Sequence, residues 1–354
     1  MVEYYLLPLF SIFAIILKFT KCNKFIFFPL IVLLYSIFFG FRFNSDPDYS
    51  EYFRFVELSR SVSIENYLFS IHVEPVFYFL SKFFDTNIFF IVAAISFITL
   101  AYICHKLSDL YKFELFVLVL SCVGYVAFFI QMRWGFALVF LICGAFISNY
   151  RNILKSILFY FIASMMHFFS FFFLGLFAIL KFIDFRKKMY LAFLIIVLGV
   201  YFNFAVILVD LVLALPFVPD YLSYKLEAYV YLFKNKEYFF YFYIIKYIFF
   251  WYLLNFANSR YEKIASCYVL LCIIFALFID MGVFVQRISI FIEVLLSILF
   301  VDAIRTKVVN DHNDVEQINI ARFIILLFIM FNFLFNMSLI EYKEYLFEYS
   351  TILL

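Results

Sequence analysis

The sequence predicts an all-α fold: a polytopic transmembrane helical bundle. About 10–12 membrane segments are expected, including one re-entrant or broken helix pair, with external loops carrying short amphipathic helices. Three observations predict it. The 354-residue chain is 68% apolar and its mean hydropathy is +1.05, whereas soluble domains are roughly 45–50% apolar. The apolar residues come in runs close to the ~20 that cross a ~30 Å hydrocarbon layer. Those runs are apolar on every side, without the alternation of a membrane barrel, and backbone in lipid must satisfy its own hydrogen bonds. Helices follow.

The runs fall near 3–17, 25–40, 88–104, 114–130, 134–148, 156–180, 189–208, 238–257, 264–280, 284–301 and 322–340. The first carries its lysines after it, so it reads as a retained helix rather than a cleaved signal peptide. Together they predict a single integral membrane domain over 1–354. Its first external loop is 41–87, its second external loop is 209–237 with an interfacial helix around 220–233, and its cytoplasmic linker is 302–321. Lys18, Lys21 and Lys24 place the turn after the first run in the cytoplasm. Alternation then works until 156–180, which has basic residues at both ends. A bend near His167 restores it, giving two arms of about a dozen residues, too short for separate straight spans.

Composition excludes several classes. The net charge of +2 favours no nucleic-acid partner. The six cysteines avoid both large loops and form no CxxC, so neither a disulfide framework nor a zinc site is expected. No P-loop, nucleophile elbow or Gly-rich nucleotide loop is present, and no cofactor is implied. High Phe and Tyr content accompanies high Ile, Asn and Lys, a coding bias that carries little functional information.

The stretch Arg42–Pro75 is the polar exception. Alternation brings its ends, Arg42, Asp46, Asp48 and Glu74, to the same membrane face as Gln131 and Arg133, His167, Gln286 and Arg287. Each has an ordinary reading. Arg42 snorkels to headgroups, Asp48 caps a helix, and Glu74 precedes a Pro that starts one. His167 binds a backbone carbonyl freed at the bend, and Arg287 pairs with Asp280. Arg133 resists such a reading, because its turn is short and its charge permanent. Glu57, Arg60 and Glu65 are expected as solvated surface. Arginines at a membrane face suit a phosphate or pyrophosphate group, and a carboxylate or imidazole nearby suits proton removal from a hydroxyl.

These residues resemble the EpsG family of bacterial polysaccharide proteins, relatives of Wzy-type repeat-unit polymerases. Four stretches carry the likeness in order. Gly40-Phe41-Arg42 leads to Asp48-Tyr49-Ser50-Glu51-Tyr52, Glu74-Pro75-Val76-Phe77 follows, then Gln131-Met132-Arg133 with Gly135-Phe136-Ala137, and then Met166-His167-Phe168-Phe169-Ser170. Arg287 fits the pattern as well. The likeness covers roughly residues 1–300; Trp134 stands where the family usually has Gln, and Asp46-Pro47 where a small residue is common. The resemblance implies a glycosyltransferase-like polymerase of undecaprenyl-pyrophosphate-linked oligosaccharides. It would be a multi-pass protein of the bacterial cytoplasmic membrane with its site facing outward, working beside a flippase and a chain-length regulator. O-antigen, capsule and exopolysaccharide products all fit. Within that frame Arg133, with Arg287, would hold the pyrophosphate and Arg42 would help to position it. Gln131, Tyr49 and Tyr52 would line the substrate, and Glu74, Asp48 or His167 would be the base, Glu74 first. A transporter of lipid-linked sugars and a membrane acyltransferase are the competing expectations.

Overall fold

The computed structural model describes residues 24–41, 48–69, 73–108, 110–147, 153–180, 182–202, 204–215, 227, 237–251, 261–279, 281–308 and 316–332. Among them every regular element is helical. The run at 3–17, Arg42 and Asp46, and all but Glu227 of the interfacial helix expected at 220–233 lie outside the described residues. Two compact units are present, residues 1–176 with 308–354, and residues 177–307.

In the first unit, α1 (Lys24–Gly40) packs along α5 (Ile88–Leu107). Between them in sequence the polar stretch folds as α2 (Tyr49–Ser61), α3 (Ile64–Phe69) and α4 (Pro75–Phe84). Apolar residues recur every three to four positions along α2. Tyr49, Tyr52, Phe55, Val56 and Ser59 are therefore buried, while Glu51, Arg54, Glu57 and Arg60 on the opposite face are exposed. The buried face joins Tyr67, Val73, Phe77 and Tyr78 in one cluster with Ile88, Phe89 and Val92 of α5. The polar loop is thus a helical layer anchored by its aromatics. Glu57, Arg60 and Glu65 lie on its outer surface, and Arg60 donates to the Asp85 carboxylate.

The chain continues through α6 (Lys112–Val123), a π-helical segment (Gly124–Ile130), a turn at Gln131, and α7 (Met132–Ile142) with a second π segment (Cys143–Ile147). Then come α8 (Ile153–Met166) and α9 (Ser170–Ile179). A helix over 316–332 also belongs to this unit, and its Arg322 Nε donates to Glu114 Oε1 of α6 at 3.0 Å, both groups buried. In the second unit, α10 (Met189–Phe202) and α12 (Glu237–Phe249) both pack on α13 (Glu262–Leu277). Lys246 of α12 donates to both carboxylate oxygens of Glu293 in α14 (Gly282–Val308), at 2.8 and 2.9 Å.

Every apolar run within the described residues is helical, but few are single straight helices. Pro75–Leu107 and Phe284–Lys307 are each long and apolar enough to cross a membrane alone. A third candidate is α10 with α11 (Phe204–Leu213), bent by 67° with Asn203 between them in sequence. The other runs are shorter apolar helices interrupted where π segments or polar residues break the regular ladder. Extra length also appears at one end: α14 stays helical to Val308, and the helix over 316–332 begins before residue 321. Much of the expected linker at 302–321 is therefore helix, because polar residues suit a helix as well as a loop once an apolar neighbour anchors it.

Candidate active site

The site grows from two interruptions of regular helix. The first ends α6. Its π segment closes with the Gln131 N–H donating to Val126 O at 2.8 Å, five residues back, after which the single turn residue Gln131 starts α7. The short turn expected there is a single residue, and Arg133 lies in the first turn of α7. The hairpin is so tight that a Cβ on Gly135 would stand 2.2 Å from Ala127 O. Only glycine permits that approach.

The second interruption separates α8 from α9 at His167–Phe169, where the sequence places the break. In an unbroken helix the N–H groups of Phe168 and Phe169 would donate four residues back. Here they turn to side chains. Phe168 N–H donates to Glu74 Oε1 at 3.2 Å, and Phe169 N–H donates to His167 Nδ1 at 3.1 Å. His167 Nδ1 accepts a backbone N–H at the bend, where the break exposes donors at the start of α9. The chain is tied off by Ser170 N–H on His167 O at 2.9 Å and by Ser170 Oγ on Ala163 O at 3.2 Å.

Glu74 joins the two interruptions. It occupies the N-cap position of α4 with Pro75 as the first helical residue, as expected, yet its side chain makes no capping bond. Its Oε2 instead accepts from Arg133 Nη1, and its Oε1 lies 4.0 Å from His167 Nδ1. Glu74 is 4% exposed, so its charge is held almost entirely by these donors. The Arg133 guanidinium lies over three rings: Tyr52 at 5.3 Å, Phe55 at 5.4 Å and Phe77 at 5.6 Å. Cation–π contacts reach about 2 kcal/mol when desolvated. Burial holds the Tyr67 phenol well above the usual tyrosine range, and the nearby Arg133 charge opposes part of the rise. Two buried donors on successive residues have no partner: Arg133 Nε and Trp134 Nε1. Trp134 is 1% exposed and meets the His167 ring edge-on at 5.6 Å.

The structure therefore brings together Glu74, Arg133, His167 and Tyr52. Asp48 stands at the N-cap position of α2, one turn before Tyr52, without a side-chain capping bond. Tyr49 is a buried core ring stacked on Phe89 at 5.1 Å. Gln131 supplies the turn. Arg42 lies outside the described residues, and Arg287 is in the second unit, in α14. Four participants were not among the candidate site residues, Phe55, Phe77, Trp134 and the Phe168 N–H, although Phe77, Trp134 and Phe168 lie in or beside the quoted motif stretches. Phe55 had a signal, since it follows Tyr52 by three on one helix face. Among the described residues no group of three His, Cys, Asp or Glu side chains is arranged to hold a metal ion.

No curated protein and no solved structure matches the chain. The family model for the EpsG family matches residues 25–351, which contain every element of this arrangement. The chain is thus an all-α membrane protein and belongs to the EpsG family, of the Wzy-like polymerase type.

Proposed function

We propose that the chain is a glycosyltransferase that joins undecaprenyl-pyrophosphate-linked oligosaccharide repeat units at the outer face of the bacterial cytoplasmic membrane. Family membership supports the coarser statement, a polymerase type of polysaccharide biosynthesis. The observation that carries the finer one is the buried pairing of Arg133 with Glu74 beside the donors released at the α8–α9 break. A guanidinium, a helix start and two unmatched N–H groups form a setting for phosphate oxygens. A carboxylate already lies within it.

In the proposed reaction, an acceptor sugar hydroxyl attacks the anomeric carbon of the donor glycan. The new C–O bond forms as the bond to pyrophosphate breaks, and the electron pair leaves with the pyrophosphate. Arg133 offsets the charge that develops there. The hydroxyl proton passes to Glu74, preferred over Asp48 because Glu74 directly contacts the guanidinium. Tyr52 acts through Arg133, whose charge it faces, rather than on sugar. The site is built from first-unit residues alone; Arg287 is not assigned to it.

The test is polymer formation by purified protein in liposomes supplied with lipid-linked repeat units. Wild type should form new glycosidic bonds, and Arg133→Ala and Glu74→Gln should lose on the order of a hundredfold or more in rate at wild-type membrane abundance. Wild-type rates from both variants would overturn the assignment. Translocation of the lipid-linked unit without bond formation would make the protein a transporter.

A further inference from the structure

We propose that an outward stripe of Phe168, Phe171 and Gly175 is the surface on which the polyprenyl chain of the lipid-linked substrate lies while its pyrophosphate reaches Arg133. The inference rests on the polymerase reading for the identity of the chain, and on the exposure and placement of the stripe for the site.

The start of α9 has two faces. Phe169 and Phe173 turn inward onto Trp134, with ring centroids at 5.2 and 5.4 Å. Phe168 and Phe171 turn outward, 47% and 50% exposed, and their rings stack at 6.4 Å with 23° between the planes. The turn itself holds this pair together, because Phe171 N–H donates to Phe168 O at 3.0 Å. Gly175 comes one turn later on the same helix face as Phe171 and is exposed as well. Its surroundings differ from those of other glycines in the chain. At Gly40, Gly135, Gly144 and Gly199 a Cβ would come within 3.0 Å of a neighbour, so close packing accounts for each. At Gly175 a Cβ would meet nothing within 4 Å among the described residues. Glycine weakens a helix interior relative to alanine, and no close neighbour here requires it. What it provides is a notch in the stripe, one turn beyond the stacked rings.

Exposed apolar side chains are ordinary where a membrane protein meets lipid, but this stripe is set apart by its position. The Phe168 N–H donates to Glu74 Oε1 at 3.2 Å, and Glu74 Oε2 accepts from Arg133. One residue's backbone therefore joins an exposed ring to the buried ion pair. A ligand that fits both has an anionic head for the guanidinium and a long apolar tail for the stripe. A polyprenyl pyrophosphate has both, and the methyl branches that recur along its chain suit a notch between larger side chains. In a bilayer such a tail gains packing rather than release from water. The stripe therefore selects the shape of the chain and orients the pyrophosphate, more than it adds raw affinity.

The test is binding of undecaprenyl pyrophosphate and of dimethylallyl pyrophosphate, which lacks the long tail, to the full chain in detergent micelles. A diacyl phosphatidic acid serves as competitor. Two variants are compared with wild type: Phe168→Ala combined with Phe171→Ala, and Gly175→Phe. Both alter exposed positions, and Phe168→Ala keeps the backbone N–H on Glu74, so their thermal melts should match wild type. Each should bind undecaprenyl pyrophosphate about tenfold more weakly and dimethylallyl pyrophosphate as wild type does. Wild-type affinity for the undecaprenyl ligand in either variant overturns the inference, as does an equal loss for the two ligands. Equal competition by phosphatidic acid also overturns it, since the stripe would then be an ordinary lipid face. If wild type binds the undecaprenyl ligand, the variants lose it, and the liposome assay forms no glycosidic bond, the polymerase reading fails while the surface stands.

Discussion

Arg133 is held by contacts that no other cation reproduces together. Its planar fork reaches Glu74 Oε2 while its faces meet Tyr52, Phe55 and Phe77. Lysine keeps the charge but loses the fork and the stacking. Arg133→Lys should therefore preserve membrane abundance and reduce polymer formation by roughly tenfold or more, the loss expected for a weakened charge-assisted contact; polymer yield per unit of protein reads this. Glu74 matters in both senses that the sequence allows. Pro75 does start a helix at that point, and the carboxylate, unused for capping, is sent to Arg133 instead. A structural and a chemical reading of one residue coexist because backbone and side chain do separate work.

At the scale of elements, the interruptions rather than the helices make the site. The π segment before Gln131 and the close approach at Gly135 set where Arg133 emerges. Gly135→Ala must push α7 away from Ala127 O, and overpacking of this kind typically destabilises by about 1–3 kcal/mol. The expected outcome is lower thermal stability in detergent together with reduced polymer; unchanged stability would mean that the hairpin yields freely. The face of α2 gives a paired prediction. Phe55 is 3% exposed and backs Arg133, so Phe55→Ala should destabilise by about 3–5 kcal/mol through the cavity it leaves. Glu57 is on the exposed face, and Glu57→Ala should stay within about 0.5 kcal/mol of wild type. Thermal melts of the two variants side by side check this. The layout of α2 was legible in its three-to-four residue spacing. The π segments were not, since an extra residue in a helical turn leaves no mark in an apolar run.

On the scale of the whole molecule, each unit has a buried ion pair far apart in sequence. Glu114 of α6 meets Arg322 in the first unit, and Lys246 meets Glu293 in the second. Glu114 lies at the start of α6, roughly 25 Å along the hairpin arm from Gln131 by helix rise. The first unit is thus pinned at both ends of one helix. Ions in an apolar bundle are tolerated when paired, and removing one partner of a buried pair costs about 3–5 kcal/mol. Arg322→Met or Glu293→Gln alone should sharply lower the folded fraction measured by size-exclusion profile in detergent. Exchanging the charges, with Glu114→Arg and Arg322→Glu together, should recover part of that loss. An unchanged profile and melt in the single variants would show that the pairs are dispensable.

The sequence by itself determined the fold class, because an apolar chain with runs near bilayer length has only helices available to it. It also placed the break at His167, through basic residues flanking a run too long for one turn of the alternation, and it marked Arg133 as a charge with few ordinary uses and Glu74 as the residue before a helix-starting Pro. Only the tertiary structure decided that these two meet, that three aromatic faces surround the guanidinium, and that the freed N–H groups of Phe168 and Phe169 go to Glu74 and His167. Glu74 and Arg133 are far apart along the chain, so no local spacing encodes their contact. It arises from the packing of α2, α4, α7 and α8 around one aromatic cluster.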